Sequence, residues 1–258
     1  MKTKSIGFIG GGRITGILLQ AFKQADIQPA AVKVFDVNAE TLATLRAKFT
    51  HIQVAKSLDD VLEVELLFLA VHPPMVVDVL ASIRGKLSND CLLVSLAPKF
   101  TLSKMSEVLG GFSNLARMNP SASSFVGKGV NPVCFGEGVQ EATKTSFMEL
   151  VEPFGYTPLI EESKMEAYAV VSAMGHTYFF FQLQKLKELA VSFGMDELEA
   201  EKTVTNMLWG TTETLFNSGL TYSEVVNLVP VKPMGEVEEV VKGYFDQYLT
   251  GIYQKIKP

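Results

Sequence analysis

Through the first 160 residues, short apolar runs alternate with amphipathic stretches. Ser5 to Ile9 reads as a strand and Ile14 to Gln24 as a helix, and Val32 to Asp36 and Ala39 to Phe49 repeat the pair. A strand at Leu66 to Val71, a helix near Met75 to Ile83 and a strand at Cys91 to Leu96 follow. Strands of this length separated by helices predict parallel βαβ units, which right-handed crossovers wind into a layered sheet. The runs IGFIG, LLFLAV and CLLVSL are almost continuously apolar, as strands covered on both faces by helices are. From about Glu161 the period becomes helical, over Lys164 to Phe193 and Leu198 to Asn217, with no strand pattern. The expected fold class is therefore a doubly wound α/β sheet over residues 1–160 followed by an all-helical part over 161–258.

Composition narrows the function classes. The chain has 258 residues, 47% of them hydrophobic, enough for a core in each part and too apolar for disorder. No apolar run reaches the ~20 residues of a membrane span; the most hydrophobic stretch, Ala167 to Leu183, is interrupted by Ser172, His176 and Thr177. The opening MKTKSIGFIGGG has no apolar signal core before its glycines and reads as a mature start. Two cysteines, Cys91 and Cys134, form no CxxC and no disulfide framework, which points to a reducing, cytoplasmic setting. Histidines only at 51, 72 and 176 argue against a metal centre. Residues 1–160 carry 15 Lys and Arg against 14 acids, whereas 161–258 carry 8 Lys and no Arg against 14 acids, an imbalance that disfavours nucleic acid as a partner. In the helical part Phe180, Leu183, Leu186 and Leu189 recur at heptad spacing and suit either a core or a subunit interface. With Phe179, Phe181, Met207, Leu208 and Trp209 added, fewer than 100 residues carry more large apolar groups than they can bury alone, so a homodimer through this part is expected.

The first chemical signal is the run Gly10-Gly11-Gly12-Arg13-Ile14-Thr15-Gly16, which follows a strand and opens a helix. Gly10 suits the tight turn, Gly12 lets a pyrophosphate approach the backbone, and the helix start at Arg13 and Ile14 offers amides to it; this is the Rossmann arrangement for a dinucleotide. Thr15 occupies the third glycine position, with Gly16 one residue later. Asp36 ends the second strand 26 residues after Gly10 and can accept from the ribose hydroxyls of NAD while repelling the 2′-phosphate of NADP. Arg13 leaves NADP open, since it suits either a phosphate or plain exposure on the helix.

The succession GFIGGGRITG, LLFLAVHPP, LLVSLAPKFTL, ARMNPSASSFVGKG and SAMGHTYFF resembles the pyrroline-5-carboxylate reductase family over nearly the whole chain. The resemblance implies a Rossmann domain, a helical domain interlocked with a second subunit, and reduction of a cyclic imine by NAD(P)H in proline biosynthesis. LLFLAVHPP is similar to the family's LAVKPQ, with His72 and Pro74 in place of Lys and Gln, and implies that Ala70, Val71, His72 and Pro73 wall the cofactor. VSLAPKF resembles SIAAG, with Pro98 and Lys99 replacing small residues near the expected nicotinamide. VGKG at 126–129 matches VGEG and places Asn119-Pro120-Ser121 on the family's MPN signature, implying a cofactor contact at Asn119. SAMGHTYFF resembles SGSGPAYVF, retaining Ser172, Gly175 and Tyr178 but with His176 where Pro is usual. After Val229 the family's SPGGTT, whose hydroxyls and amides hold the pyrroline ring and its carboxylate, is replaced by PVKPMGEVEE. Glu236, Glu238 and Glu239 there repel an anion, so the family substrate does not carry over.

Hydride transfer requires the acceptor carbon to be held over the nicotinamide and the changing charge to be stabilised. A carbonyl acceptor needs a proton donor, and an iminium arrives protonated. The catalytic candidates are His176 as donor or orienter, Lys99 as a binder of a carboxylate or polariser of a carbonyl, and Tyr178. Against these stand a packing histidine, a surface lysine and a structural tyrosine. The expected function is reduction of a small cyclic imine or carbonyl compound by NAD or NADP in reduced form; the alternative is a non-enzymatic dinucleotide-binding redox sensor or assembly protein that has lost the substrate loop.

Overall fold

The computed structural model describes residues 4–257; Met1 to Thr3, part of the opening read as a mature start, lie outside them. Among the described residues nine strands form: β1 Ser5–Ile9, β2 Ala31–Phe35, β3 Gln53–Val54, β4 Leu66–Leu69, β5 Leu92–Ser95, β6 Leu115–Met118, β7 Gly129–Val130, β8 Val133–Phe135 and β9 Gly155–Tyr156. Seven of them make one sheet in the order β3-β2-β1-β4-β5-β6-β8. Neighbours are parallel except β8, which closes the edge antiparallel to β6. Chain order runs outward in both directions from β1, which creates a switch point between β1 and β4 where a ligand cleft opens at the strands' carboxyl ends.

The helices of this part are α1 Arg13–Gln24, α2 Ala39–Lys48, α3 Val76–Ile83, α4 Leu102–Val108 and α5 Glu141–Val151. They cover both faces, and β4, β5 and β6 are buried at every residue. One core layer joins Phe8, Leu18, Phe22, Phe68 and Phe147, with Phe8 and Phe68 stacked at 5.0 Å between centroids on adjacent strands. The other joins Ile9, Leu67, Leu69, Leu80 and Met105 on the opposite face, as the period-two alternation of side chains requires.

The second part differs from its predicted form at its opening helix and at its boundary. The continuous helix expected over Lys164 to Phe193 is broken into α6 Met165–Tyr168, a π-turn over Ala169–Ala173 and α7 His176–Ser192. Ser172 Oγ donates to the Tyr168 carbonyl at 2.6 Å inside that turn, a local bond that competes with regular helix geometry. The chain's two compact units divide at Met174 and Gly175, later than the change of composition at 160, and the chain from Tyr253 onward counts with the first unit. Segment 162–168 is held in the first unit by Arg117, whose Nη1 donates to Glu162 Oε1 at 3.0 Å and Nη2 to Glu166 Oε1 at 2.6 Å.

The second unit contains α7, α8 Glu197–Asn217, α9 Tyr222–Asn227 and most of α10 Glu238–Ile256. Capping boxes open α8 at Asp196 and Glu199 and α9 at Thr221 and Glu224. Lys187 ties α7 to α8 through Glu197 and Glu201, each at 2.7 Å. Among the described residues of this unit, Ala200 is the one hydrophobic side chain that is buried. Phe180, Leu186 and Leu189 lie exposed, so the heptad positions do not form a core within the single chain. No helix of the described residues is long and apolar enough to cross a membrane.

Both cysteines are buried, and burial pushes the Cys91 thiol up to about 12 and the Cys134 thiol up to about 11. Neither forms thiolate at neutral pH. Iodoacetamide at pH 7.5 is expected to leave both unmodified in native protein and to alkylate both in 6 M guanidinium, as read by intact mass; rapid native labelling would contradict this burial.

Candidate dinucleotide site

At the switch point the backbone of β1 passes close to that of β4. Gly10 has φ +105°, its amide donates to the Phe35 carbonyl at 2.7 Å, and a Cβ at this position would run into the Ala70 carbonyl oxygen. Ala70 in turn donates its amide to the Ile9 carbonyl at 2.8 Å. Only glycine combines that conformation with that approach. Thr15 is fully buried and its Oγ1 donates to the Gly10 carbonyl at 2.6 Å, so a threonine performs the helix-to-turn packing of the third fingerprint glycine and adds a bond that glycine cannot make.

Gly12 is the N-cap of α1; no side chain caps the helix and no acid stands in its first turn. Nothing lies within 4 Å of the position a Cβ of Gly12 would take, so the approach to the helix end is open. Uncapped amides at Arg13 and Ile14, together with the positive end of the helix, suit a phosphate. Gly11 plays a different part from that of a phosphate donor: its amide donates to Asp36 Oδ2 at 2.7 Å. Asp36 Oδ1 accepts from the Asn38 amide at 2.8 Å, which fixes the carboxylate beside the glycine turn with lone pairs left for a ribose diol. Asn38 Oδ1 caps α2 through the amides of Glu40 and Thr41, and Arg13 is exposed. A groove of about 590 Å³ shares Gly11, Gly12 and Arg13 with this cradle and continues between α1 and α2 past Thr41, Lys48 and Phe125. These residues fit a dinucleotide: a close glycine turn, an open anion-favouring helix end and an oriented acid at the next strand.

The other positions fall on neighbouring strand ends. Ala70 and Val71 are half-buried after β4, while His72 is exposed and leads into a short turn over Pro73–Met75. Lys99 is exposed beyond β5 with φ +70°, a left-handed conformation that side chains rarely adopt. Asn119 follows β6, half-buried, with its amide donating to the Pro132 carbonyl at 3.1 Å. The first unit thus brings Gly10, Gly11, Gly12, Arg13, Ile14, Asp36, Ala70, Val71, His72, Pro73, Lys99 and Asn119 to the carboxyl side of one sheet. In the second unit His176 is the first residue of α7 and stacks on Phe180 at 5.9 Å, and Tyr178 packs edge-on against Phe245 at 6.0 Å. Burial raises the Tyr178 phenol above its usual range. Among the described residues no three His, Cys, Asp or Glu side chains are grouped to hold a metal.

Two contacts escaped the sequence reading. Thr15 was legible at the third glycine position, but its bond to the Gly10 carbonyl was not. The pairing of Arg117 with Glu162 and Glu166 had one trace, an arginine inside the apolar strand LARM.

Residues 5–99 match the family model described as NADP oxidoreductase, coenzyme F420-dependent, and residues 162–235 match the model for pyrroline-5-carboxylate reductase dimerisation. The pyrroline-5-carboxylate reductase of Escherichia coli K12 is 26% identical over 218 residues, covering 84% of this chain and 81% of its own length. That of Corynebacterium melassecola is 25% identical over 224 residues, covering 86% and 83%. Pyrroline carboxylate reductase of Plasmodium falciparum, solved with NADP bound, shares the fold with a TM-score of 0.80 at 18% identity, over 99% of this chain and 96% of that one.

The conformational argument at the turn has a direct check. Gly10→Ala is expected to weaken NADH binding at least tenfold in a fluorescence titration, because the strained methyl group must displace the Ala70 peptide. Binding equal to wild type would contradict the close approach.

Proposed function

We propose that this chain, a member of the pyrroline-5-carboxylate reductase family, is an NAD(P)H-dependent reductase of a small C=N or C=O compound and works as a homodimer in a reducing, cytoplasmic setting. The observation that carries the reading is the uncapped α1 terminus beside Gly10 and Asp36, joined in one chain to a dimerisation segment. NADH is the favoured form. Asp36 is anchored at the ribose end of the cradle, and no Lys or Arg occurs from 36 to 45 to receive a 2′-phosphate. The bound dinucleotide supplies the hydride. The chain's own tasks are to hold the acceptor, exclude water and, for a carbonyl, deliver a proton, for which His176 and Tyr178 are the donors and Lys99 the electrostatic partner.

The substrate differs from pyrroline-5-carboxylate. Where relatives carry the serine, glycines and threonines of SPGGTT, this chain runs through Pro233, Met234 and Gly235 into α10, whose first turn holds Glu238 and Glu239. Lys242 pairs with both, at 2.6 and 2.9 Å, and holds the Glu238 carboxyl below its usual range. The positive end of α10 is thereby answered by the chain's own acids, and a substrate carboxylate meets repulsion instead of hydroxyl donors. The favoured substrate is a cyclic imine or carbonyl compound without an adjacent carboxylate.

The dimer follows from surface chemistry as well. Phe180, Phe181, Trp209 and Phe216 are 60%, 69%, 66% and 75% exposed in the single chain, a density of large apolar groups that a free surface does not sustain.

Three measurements check this reading. A panel of cyclic imines and ketones is expected to oxidise NADH faster than NADPH, with pyrroline-5-carboxylate among the poorest acceptors; efficient turnover of that compound would overturn the substrate assignment, and NADH binding without turnover across the panel would favour a non-enzymatic role. His176→Asn is expected to slow single-turnover reduction of a carbonyl acceptor on the order of a hundredfold with NADH affinity unchanged, and an unchanged rate would remove His176 from the chemistry. Light scattering at micromolar concentration is expected to give a dimer or a multiple of it, and a monomer would contradict the helical interface.

A further inference from the structure

Among the described residues two that are not glycine have positive φ, Asp26 and Lys99. Asp26 follows α1, and a short acid tolerates the left-handed region because its side chain can bond locally, a compensation that lysine lacks. Lys99 has φ +70° and forms a turn with Pro98 just beyond β5. In a turn made of proline and then a left-handed residue, glycine is the usual second member. A lysine there holds the backbone at a conformational cost, of the kind that persists where the side chain has a use. The fold itself makes no use of it. Lys99 is exposed, and among the described residues it joins no ion pair. Other groups hold the segment in place: the Leu96 amide donates to the Leu69 carbonyl at 3.0 Å, and the buried Ala97 donates its amide to Ser95 Oγ at 3.3 Å. Lys104, whose Nζ lies 5.7 Å from the centre of the Phe100 ring, is likewise without an ion pair, so the carboxyl end of β5 presents two unanswered cations.

We propose that Lys99 binds an anionic group of the acceptor, a carboxylate carried away from the C=N or C=O carbon, and so directs the protein to small ring compounds with a remote acid. This rests on the reductase reading, in which phosphates at the α1 terminus and a ribose at Asp36 put one half of the dinucleotide over β1 and β2. The other half, and the acceptor that must lie against it to receive the hydride, then extends over β4 toward β5. The end of β5 is two strand spacings, about 10 Å, from that of β1, a span that a ligand of this size covers. The acids in the first turn of α10 disfavour a carboxylate near them, whereas the turn after β5 offers one a cation. An ammonium on a flexible stem suits a small carboxylate as a point charge.

The test loads the protein with NADH and measures by calorimetry the dissociation constants of cyclohexanecarboxylate and cyclohexanecarboxamide, two rings that accept no hydride and differ by one charge. Wild type is expected to prefer the carboxylate on the order of tenfold, Lys99→Gln to lose that preference and Lys99→Arg to keep it. Lys99→Gly is expected to lose the preference as well while melting about 2 to 4 °C higher, because glycine relieves the left-handed turn. A lysine kept for the fold would give the opposite stability change. Equal affinities for acid and amide in wild type, a preference that survives in Lys99→Gln, or a Lys99→Gly variant that melts no higher than wild type overturns the proposal. Wild-type protein that binds no NADH overturns the reductase reading and this inference together, whereas NADH-loaded protein without the charge preference overturns this inference alone.

Discussion

The close passage of β1 over β4 at Gly10 and Ala70 is the constraint on which the first unit depends. The sheet order reverses at this pair of strands, so the cleft exists only if the β1 backbone can turn away at once, with φ +105° and no side chain toward the Ala70 carbonyl. Each further feature of the cradle is secured from this point. Thr15 bonds the Gly10 carbonyl, Asp36 bonds the Gly11 amide, and α1 is thereby held with its first amides clear. The helix carries no cap of its own, which leaves its electropositive end for a ligand at some cost to its own stability.

A second constraint acts on the helical unit. Helices normally gain most of their stability from burying an apolar face, and here such a face exists without cover in the single chain. Local devices hold the helices individually: capping boxes at Asp196 and Thr221 and the Lys187 bridges between α7 and α8. They leave Phe180, Trp209 and Phe216 outside. A second copy of the chain, the homodimer proposed above, satisfies what these devices cannot.

The parts of the molecule that were legible in the sequence are those whose signal is local. The alternation of strands and helices, the glycine turn and Asp36 each lie within one βαβ unit, and the spacing of Gly10 and Asp36 is set by the length of that unit. The cluster of Arg117, Glu162 and Glu166 joins residues 45 and 49 positions apart, and no pattern in the chain announces such a pairing beyond an odd arginine in an apolar strand. The break in the expected long helix was hidden for a related reason. Helical periodicity continues through Ala169 and Ser172, although the backbone there widens into a π-turn, in which the Ser172 hydroxyl donates to the Tyr168 carbonyl, and α7 starts only after Gly175. Heptad spacing at Phe180, Leu186 and Leu189 marked an apolar face without saying what covers it, because period carries no information on whether the covering surface belongs to the same chain.

Whether the cradle serves reduction is decided most directly by following the hydride itself. NADH carrying deuterium at C4 is incubated with the protein and a cyclic imine lacking a carboxylate, and the product amine is read by mass spectrometry. Reduction within this cleft places one deuterium on the former C=N carbon from one face of the nicotinamide only; bound NADH with no label in the product would contradict it.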